Sequence, residues 1–335
     1  MNSHEGLLLL NIGTPKSPST EDVSVYLKEF LGDPEVINLP RILRLPLVHF
    51  LIVPRRAPAS AKKYQAIWTE QGSPLMVHSI NLAKKLEQHL QKPVRLGMRY
   101  GQPSIRASLQ ELAALGVKTV KLVPLFPQFA EATTGSALGK VEAEIKALNL
   151  SLQTEVIPEY FHRPEFHKAT TDVALTHLGS IQSSLDQFDH VLFSFHGLPK
   201  AQVTKDPACK LGACCNEEGA QRRCYRAQCV QTAKALAQQM GVKDYSVSFQ
   251  SRLGPVKWIE PYTDFHLKAL AQKGVKSILV LCPSFSADCL ETLEEIAIEM
   301  KHIFLSEGGQ NFVMAPCPNS DDIWVKALAQ IVESR

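Results

Sequence analysis

Leu109-Gln110-Glu111-Leu112-Ala113-Ala114-Leu115-Gly116-Val117-Lys118 finds a counterpart in the second half of the chain, Leu267-Lys268-Ala269-Leu270-Ala271-Gln272-Lys273-Gly274-Val275-Lys276. In each copy leucines recur at helical spacing, a glycine closes the helix, and an apolar run follows, Thr119–Leu125 or Ser277–Leu281. A second echo lies upstream. Asn11-Ile12-Gly13-Thr14-Pro15 answers Phe195-His196-Gly197-Leu198-Pro199, each a strand end running into a Gly-x-Pro turn. Two echoes in the same order predict a chain built of two similar halves.

Working outward, short apolar runs alternate with helical segments. Strands are expected at 7–12, 94–99, 119–125, 152–157, 190–195, 245–250, 277–281 and 312–315. Helices are expected at 21–31, 82–90, 105–115, 137–148, 165–178, 232–240, 264–273 and 290–304. Such alternation specifies an α/β fold of two similar Rossmann-like lobes with parallel sheets and right-handed crossovers. The lobes are placed at residues 1–160 and 161–335, with the change-over at Tyr160–Pro164 and a last helix, Asp321–Ser334, packing back on the first lobe. Ligands of open α/β sheets bind outside the carboxyl ends of strands, so a cleft between the lobes is expected, lined by Asn11–Pro15, Arg99–Tyr100, His196 and the segment after Leu281.

The 335 residues exceed what one small core needs, and 45% hydrophobic with 21% charged residues is ordinary for a globular protein. A net charge of +3 without a Lys/Arg block argues against nucleic acid as partner. No uncharged apolar run of about 18 residues exists to span a bilayer, and Met1–Gly6 lacks the features of a signal peptide; a cytoplasmic protein is expected.

His196 lies just past the strand Val191–Phe195, in the turn made by Gly197 and Pro199. A neutral imidazole serves as metal ligand or proton acceptor near pH 7. Taken alone, a strand-end histidine is more often structural. A second element stands beside it: Glu291, Glu295 and Glu299 recur at i, i+4 and i+8 and share one helical face, following a strand and the loop Pro283-Ser284-Phe285. An acidic stripe is commonly a solvated surface, but Glu291 opens its helix, where the dipole favours negative charge.

Two further stretches stand out. Residues 39–58 form the most apolar long segment, edged by Arg41, Arg44, Arg55 and Arg56. It reads either as a buried helix or as an apolar lip touching a membrane surface peripherally. Cys209, Cys214, Cys215, Cys224 and Cys229 crowd into 21 residues of the insertion 200–229. In a reducing compartment an iron–sulfur cluster, a zinc ion and free thiols are the alternatives. Cys224 and Cys229 are placed just ahead of the helix expected from Thr232, and Cys282, Cys289 and Cys317 are read as packing residues.

The chain resembles the ferrochelatase family. The motifs that carry the resemblance are Leu10-Asn11-Ile12-Gly13-Thr14-Pro15, Arg55-Arg56-Ala57-Pro58, Gln71-Gly72-Ser73-Pro74, Met98-Arg99-Tyr100-Gly101, Ser194-Phe195-His196-Gly197-Leu198-Pro199, Phe249-Gln250-Ser251-Arg252-Leu253-Gly254-Pro255-Val256-Lys257-Trp258 and Asp288-Cys289-Leu290-Glu291-Thr292-Leu293, in the family's order. The resemblance implies insertion of ferrous iron, as substrate, into protoporphyrin to form haem, with His196 and Glu291 as the iron-site pair and Glu295 and Glu299 continuing an acidic track. It implies that Tyr64, Arg99, Tyr100, Trp258 and Phe285 border the porphyrin, while Ile12, at the position that echoes His196, is expected to supply an apolar wall. It further implies a [2Fe–2S] cluster on the cysteine segment, as in a subgroup of the family, and it favours the lip reading of 39–58. Cys289 stands where some members carry a second histidine. A coproporphyrin-using ferrochelatase, a chelatase for another tetrapyrrole and a non-catalytic haem or iron carrier are the competing readings.

Overall fold

The computed structural model describes residues 4–204, 209–210, 212–217, 219, 224–254 and 256–334; the rest of the 200–229 segment lies outside them. The chain divides into two compact units, one running to Pro158 and resuming at Val332, the other Glu159–Ile331.

The first unit carries four parallel strands, β1 (Glu5–Gly13), β2 (Val94–Tyr100), β3 (Thr119–Pro124) and β4 (Gln153–Val156), in the order β2-β1-β3-β4. In the second unit β5 (His190–His196), β6 (Tyr245–Gln250), β7 (Ser277–Leu281) and β8 (Asn311–Met314) follow the same rule, β6-β5-β7-β8. The echoed segments occupy equivalent places: the helix Ile105–Ala114 leads into β3, and Thr263–Gln272 into β7. Each sheet thus reverses its strand order beside its first strand, at β1/β3 and β5/β7, the switch point that opens a binding crevice.

Strands covered by helices on both faces must be apolar on both, which is why Leu7, Leu8, Leu9 and Leu10 are all buried. Leu8 and Leu10 pack with Ile105, Leu109, Leu112 and Val141, whereas Leu192, Ile278 and Val280 pack with Leu267, Ile296 and Phe304. The edge strand β4 is exposed and reads Gln-Thr-Glu-Val, with polar side chains on an edge open to other strands. At the end of β1, Gly13 adopts φ +108°, and a β-carbon there would lie 1.9 Å from the Tyr100 carbonyl oxygen. Only glycine fits this turn.

Three helices differ from expectation. The one expected from Leu82 begins at Pro74, with Ser73 preceding a proline that tolerates the first helical turn. Another begins at Tyr225 instead of Thr232, so Cys229 is inside it and only Cys224 precedes it; Ala227, Cys229, Ala233 and Leu236 form its buried face, with cysteine acting as a small apolar residue. The third, after Leu290, is π-helical over Glu291–Met300 before an α-helical turn Lys301–Ser306. Residues 41–67 form a continuous helical run whose middle, Leu47–Ile52, is also π-helical. Val48 and Val53 are fully buried, but Ile42 and Phe50 are 81% and 82% exposed. The segment is buried along one stripe only.

Candidate active site

The second unit builds its site at the carboxyl end of β5. Ser194 and His196 are two residues apart on β5 and so share one face of the strand; what fixes the histidine is its backbone. The His196 N–H donates to Ser284 Oγ at 3.0 Å, and the His196 carbonyl accepts from the Tyr225 hydroxyl at 2.7 Å. The Gly197 N–H donates to the Gln250 carbonyl at 2.8 Å, and a β-carbon at 197 would meet that same oxygen. Nδ1 of His196 lies 2.6 Å from the Gly197 carbonyl oxygen. A carbonyl only accepts, so Nδ1 carries the proton, and in the neutral ring Nε2 holds the lone pair. Trp258 and Phe285 flank the ring at centroid distances of 6.4 and 6.3 Å. The Trp258 indole is held by its N–H on the Leu253 carbonyl at 2.9 Å.

Gln250 joins this histidine to the acidic helix. It is the register partner of His196 across β5–β6. Its carboxamide oxygen accepts from Ser194 Oγ at 2.7 Å, and its nitrogen donates to the Glu291 carbonyl at 2.7 Å. Next along, the Ser251 N–H and hydroxyl both donate to the Glu295 carboxylate, at 2.7 and 2.5 Å. Ser251 holds φ +66°, a left-handed conformation costing a non-glycine residue about 1 kcal/mol or more. Burial pushes Glu295 up to about 7, against the lowering effect of both Ser251 bonds and with Glu291 and Glu299 adding repulsion. Glu291 and Glu295 are partly buried and Glu299 is exposed, so the stripe runs from the interior to solvent.

The start of the acidic helix is fixed by Asp288, which accepts from Thr292 Oγ1 at 2.9 Å and Asn319 Nδ2 at 2.7 Å. Beside it the buried Cys289 thiol, pushed up by burial and by the Glu291 charge, hydrogen-bonds with Glu291. Sequence reasoning singled out neither Gln250, Ser251 nor Ser284 for a role, and it passed over Tyr225 entirely. The first two sit inside a quoted motif and were the available signal.

In the first unit, Ile12 is partly buried at the β1 end, its N–H on the Asn11 side chain at 2.8 Å. Arg99 donates from Nε to Ser136 Oγ at 2.7 Å and pairs with Asp33, a carboxylate that also accepts from Ser136 and Tyr100. Tyr100 is fully buried, and Tyr64 is 7% exposed with its ring edge-on to Trp68. Both tyrosines, expected on the substrate's border, are buried within the first unit, and the Tyr100 hydroxyl is bonded to Asp33.

All eight cysteines are free thiols. Cys214 hydrogen-bonds with Cys209, and Cys215 with Cys224. The Cys215 thiol is brought down to about 7 by its bond with Cys224, then by the Arg226 guanidinium, whose Nη1 lies 2.9 Å from the sulfur. Among the described residues no group of three or more His, Cys, Asp or Glu side chains converges on a single metal position.

Two parallel sheets of identical strand order, with an imidazole and a carboxylate-bearing helix at one switch point, define a chelatase-type α/β protein. Among solved structures, SirB from Bacillus subtilis with Fe3+ matches over 98% of this chain and 94% of its own at TM-score 0.57 and 10% identity. The sirohydrochlorin chelatase SirB from Bacillus subtilis subspecies spizizenii, in complex with cobalt, matches over 98% of this chain and 93% of its own at TM-score 0.53 and 11% identity. These likenesses concern the fold. The ferrochelatase family profile matches residues 4–335. Proteins named ferrochelatase from Bdellovibrio bacteriovorus and Pseudomonas fluorescens are 44% and 45% identical, covering 98% and 99% of this chain and 99% and 98% of their own lengths. The chain belongs to the ferrochelatase family.

Proposed function

We propose that this chain inserts ferrous iron into protoporphyrin IX to form haem, the last step of haem biosynthesis. The observation that carries the reading is the His196 imidazole, its Nδ1 occupied and its Nε2 left with the lone pair, tied through Gln250 to the helix that bears Glu291. Insertion releases two pyrrole protons as one Fe2+ enters. His196 Nε2 is the acceptor of a proton or a ligand to the incoming iron, and Glu291 assists it. Glu295 and Glu299 then exchange protons or cations with solvent along the stripe. Trp258 and Phe285 offer apolar faces to the macrocycle, and Ile12 and Arg99 of the first unit are the remaining substrate contacts. Tyr64 and Tyr100 act behind that surface.

Mixing the purified protein anaerobically with Fe2+ and protoporphyrin should produce the haem spectrum, and a parallel sample with coproporphyrin distinguishes the two substrates. Haem from coproporphyrin alone would overturn the protoporphyrin assignment. His196→Ala should lower insertion by about 10²- to 10⁴-fold while porphyrin binding, read by fluorescence, persists; near-normal turnover would remove the histidine from the mechanism.

For the cysteine segment the proposal is a [2Fe–2S] cluster, which takes two thiolates on each iron, although no three of its described side chains converge on one metal position. Two sulfur pairs are in contact, Cys209 with Cys214 and Cys215 with Cys224. Those four would hold the cluster, leaving Cys229 as the fifth, spare thiol. Such a cluster supplies one-electron exchange. Its test is iron–sulfur absorbance and iron content in protein purified without oxygen.

No helix among the described residues is long and apolar enough to cross a membrane. The exposed Ile42, Leu43, Phe50 and Leu51, with Arg41 and Arg55 nearby in sequence, support a peripheral, cytoplasmic-face contact with lipid.

A further inference from the structure

Tyr225 stands where the cysteine segment meets the histidine. Its hydroxyl donates to the His196 carbonyl at 2.7 Å. The same hydroxyl is hydrogen-bonded with Ser284, whose Oγ accepts the His196 N–H, so the peptide groups on both sides of His196 end on one small network. On its other side Tyr225 hydrogen-bonds with the Cys229 thiol, one turn further along the same helix. Cys224 precedes Tyr225 directly, and Arg226 follows it and holds the Cys215 sulfur. Three consecutive residues therefore bind two thiols of the segment, directly or by chain connection, and the backbone of the site histidine.

We propose that Tyr225 is a positioning residue that couples the state of the cysteine segment to the placement of His196. The physical basis is stiffness. Tyr225 is partly buried, its helix is anchored by the buried Ala227, Ala233 and Leu236, and its hydroxyl is held between the His196 carbonyl, Ser284 and the buried Cys229. Any change that shifts Cys215 or Cys224 pulls on Arg226 or on the first helical turn. The tyrosine then transmits that shift to the His196 carbonyl, and with it to the turn whose Gly197 carbonyl sets the imidazole's tautomer. An unsatisfied buried hydroxyl costs about 1–3 kcal/mol, so the network moves as one body before it breaks. The proposal rests on His196 being the site histidine, but its test does not depend on iron insertion.

The test is a double-mutant cycle read on His196 itself. Acylation of His196 by diethyl pyrocarbonate is followed by peptide mass spectrometry on the full chain, without iron or porphyrin added. Cys224→Ser should change the His196 acylation rate by about fivefold, the lower end of ordinary site-to-site coupling. In a Tyr225→Phe background, which keeps the ring and removes the hydroxyl, the same serine substitution should change it less than about twofold. A residue serving stability alone would leave the two effects equal, and equal effects overturn the proposal. Should Tyr225→Phe fail to fold, Cys229→Ala keeps the tyrosine and removes its sulfur partner. It is expected to shift the His196 rate, and an unchanged rate in that variant overturns the proposal too. Failure of the cycle leaves the chelatase reading standing, and failure of haem formation leaves the coupling measurable.

Discussion

Glu295 is partly buried and Asp33 fully so, both with hydrogen-bond donors aimed at them, yet they are shifted in opposite directions. At Glu295 burial outweighs the two Ser251 bonds, and two neighbouring glutamates add to it, so the group is pushed up to about 7. Folding then favours its protonated form. The stabilisation is fully present below the ordinary value of 4.5 and is lost as pH rises through about 7. Glu295→Gln should therefore gain stability over wild type across that window, by up to about 3 kcal/mol, and level off above it. Urea unfolding at pH 5 and pH 8 checks this, and an equal difference at the two pH values would contradict it. At Asp33 burial also opposes ionisation, but bonds from Ser136, the Glu35 N–H and Tyr100, with the Arg99 charge, prevail and hold the group below its usual 3.8. Its contribution is present above that value and fades as pH falls through the depressed one. Asp33→Ala strands the Arg99 guanidinium, whose side chain is only 16% exposed, and should cost about 3 kcal/mol at neutral pH. Denaturant midpoints read this loss.

At the level of elements, strands buried on both faces, such as β1 and β7, were legible as unbroken apolar runs, whereas the exposed β4 and the alternating β6 were placed by the strand–helix alternation, and glycine marked where several helices stopped. The tight β1 turn adds a direct prediction. Gly13→Ala must move the Tyr100 backbone and adopt a forbidden φ, so it should destabilise the protein by more than about 3 kcal/mol, seen as a large fall in melting temperature. The π-helical winding after Leu290 was not legible, since the same glutamates and leucines satisfy an α pattern and the difference lies in i→i+5 backbone bonds. The early start at Tyr225 was hidden for another reason: cysteines that look like ligands in sequence also serve as helix-face residues. Tyr64 and Tyr100 show that a motif marks residues without saying whether a ring is exposed or packed: both are buried, and the Tyr100 hydroxyl is bonded to Asp33. His196 and Glu291 stood out in the sequence because their chemistry is scarce; Gln250 and Ser251, which link the two elements, did not, because amides and hydroxyls are common and only strand register reveals what they join.

For the whole molecule, the doubled strand order was foreshadowed by two short echoes. Duplicated connectivity preserves the spacing between a strand end and the helix that follows even where the intervening residues diverge. The exposed apolar residues of the 41–67 run give a prediction at this scale. Phe50→Asp and Ile42→Asp should each lower flotation with anionic vesicles by at least about tenfold while leaving the melting temperature unchanged, since both side chains are more than four-fifths exposed. Equal flotation of the variants and wild type would remove the lipid contact.

The division of the chain has one more outcome. The end of the last helix, from Val332, groups with the first unit, and the Val332 carbonyl accepts from Lys121 Nζ at 3.0 Å. All four strands of the first sheet precede Pro158, so on the ribosome that sheet is complete in the growing chain before β5 is made, and two sheets alike in design form one after the other.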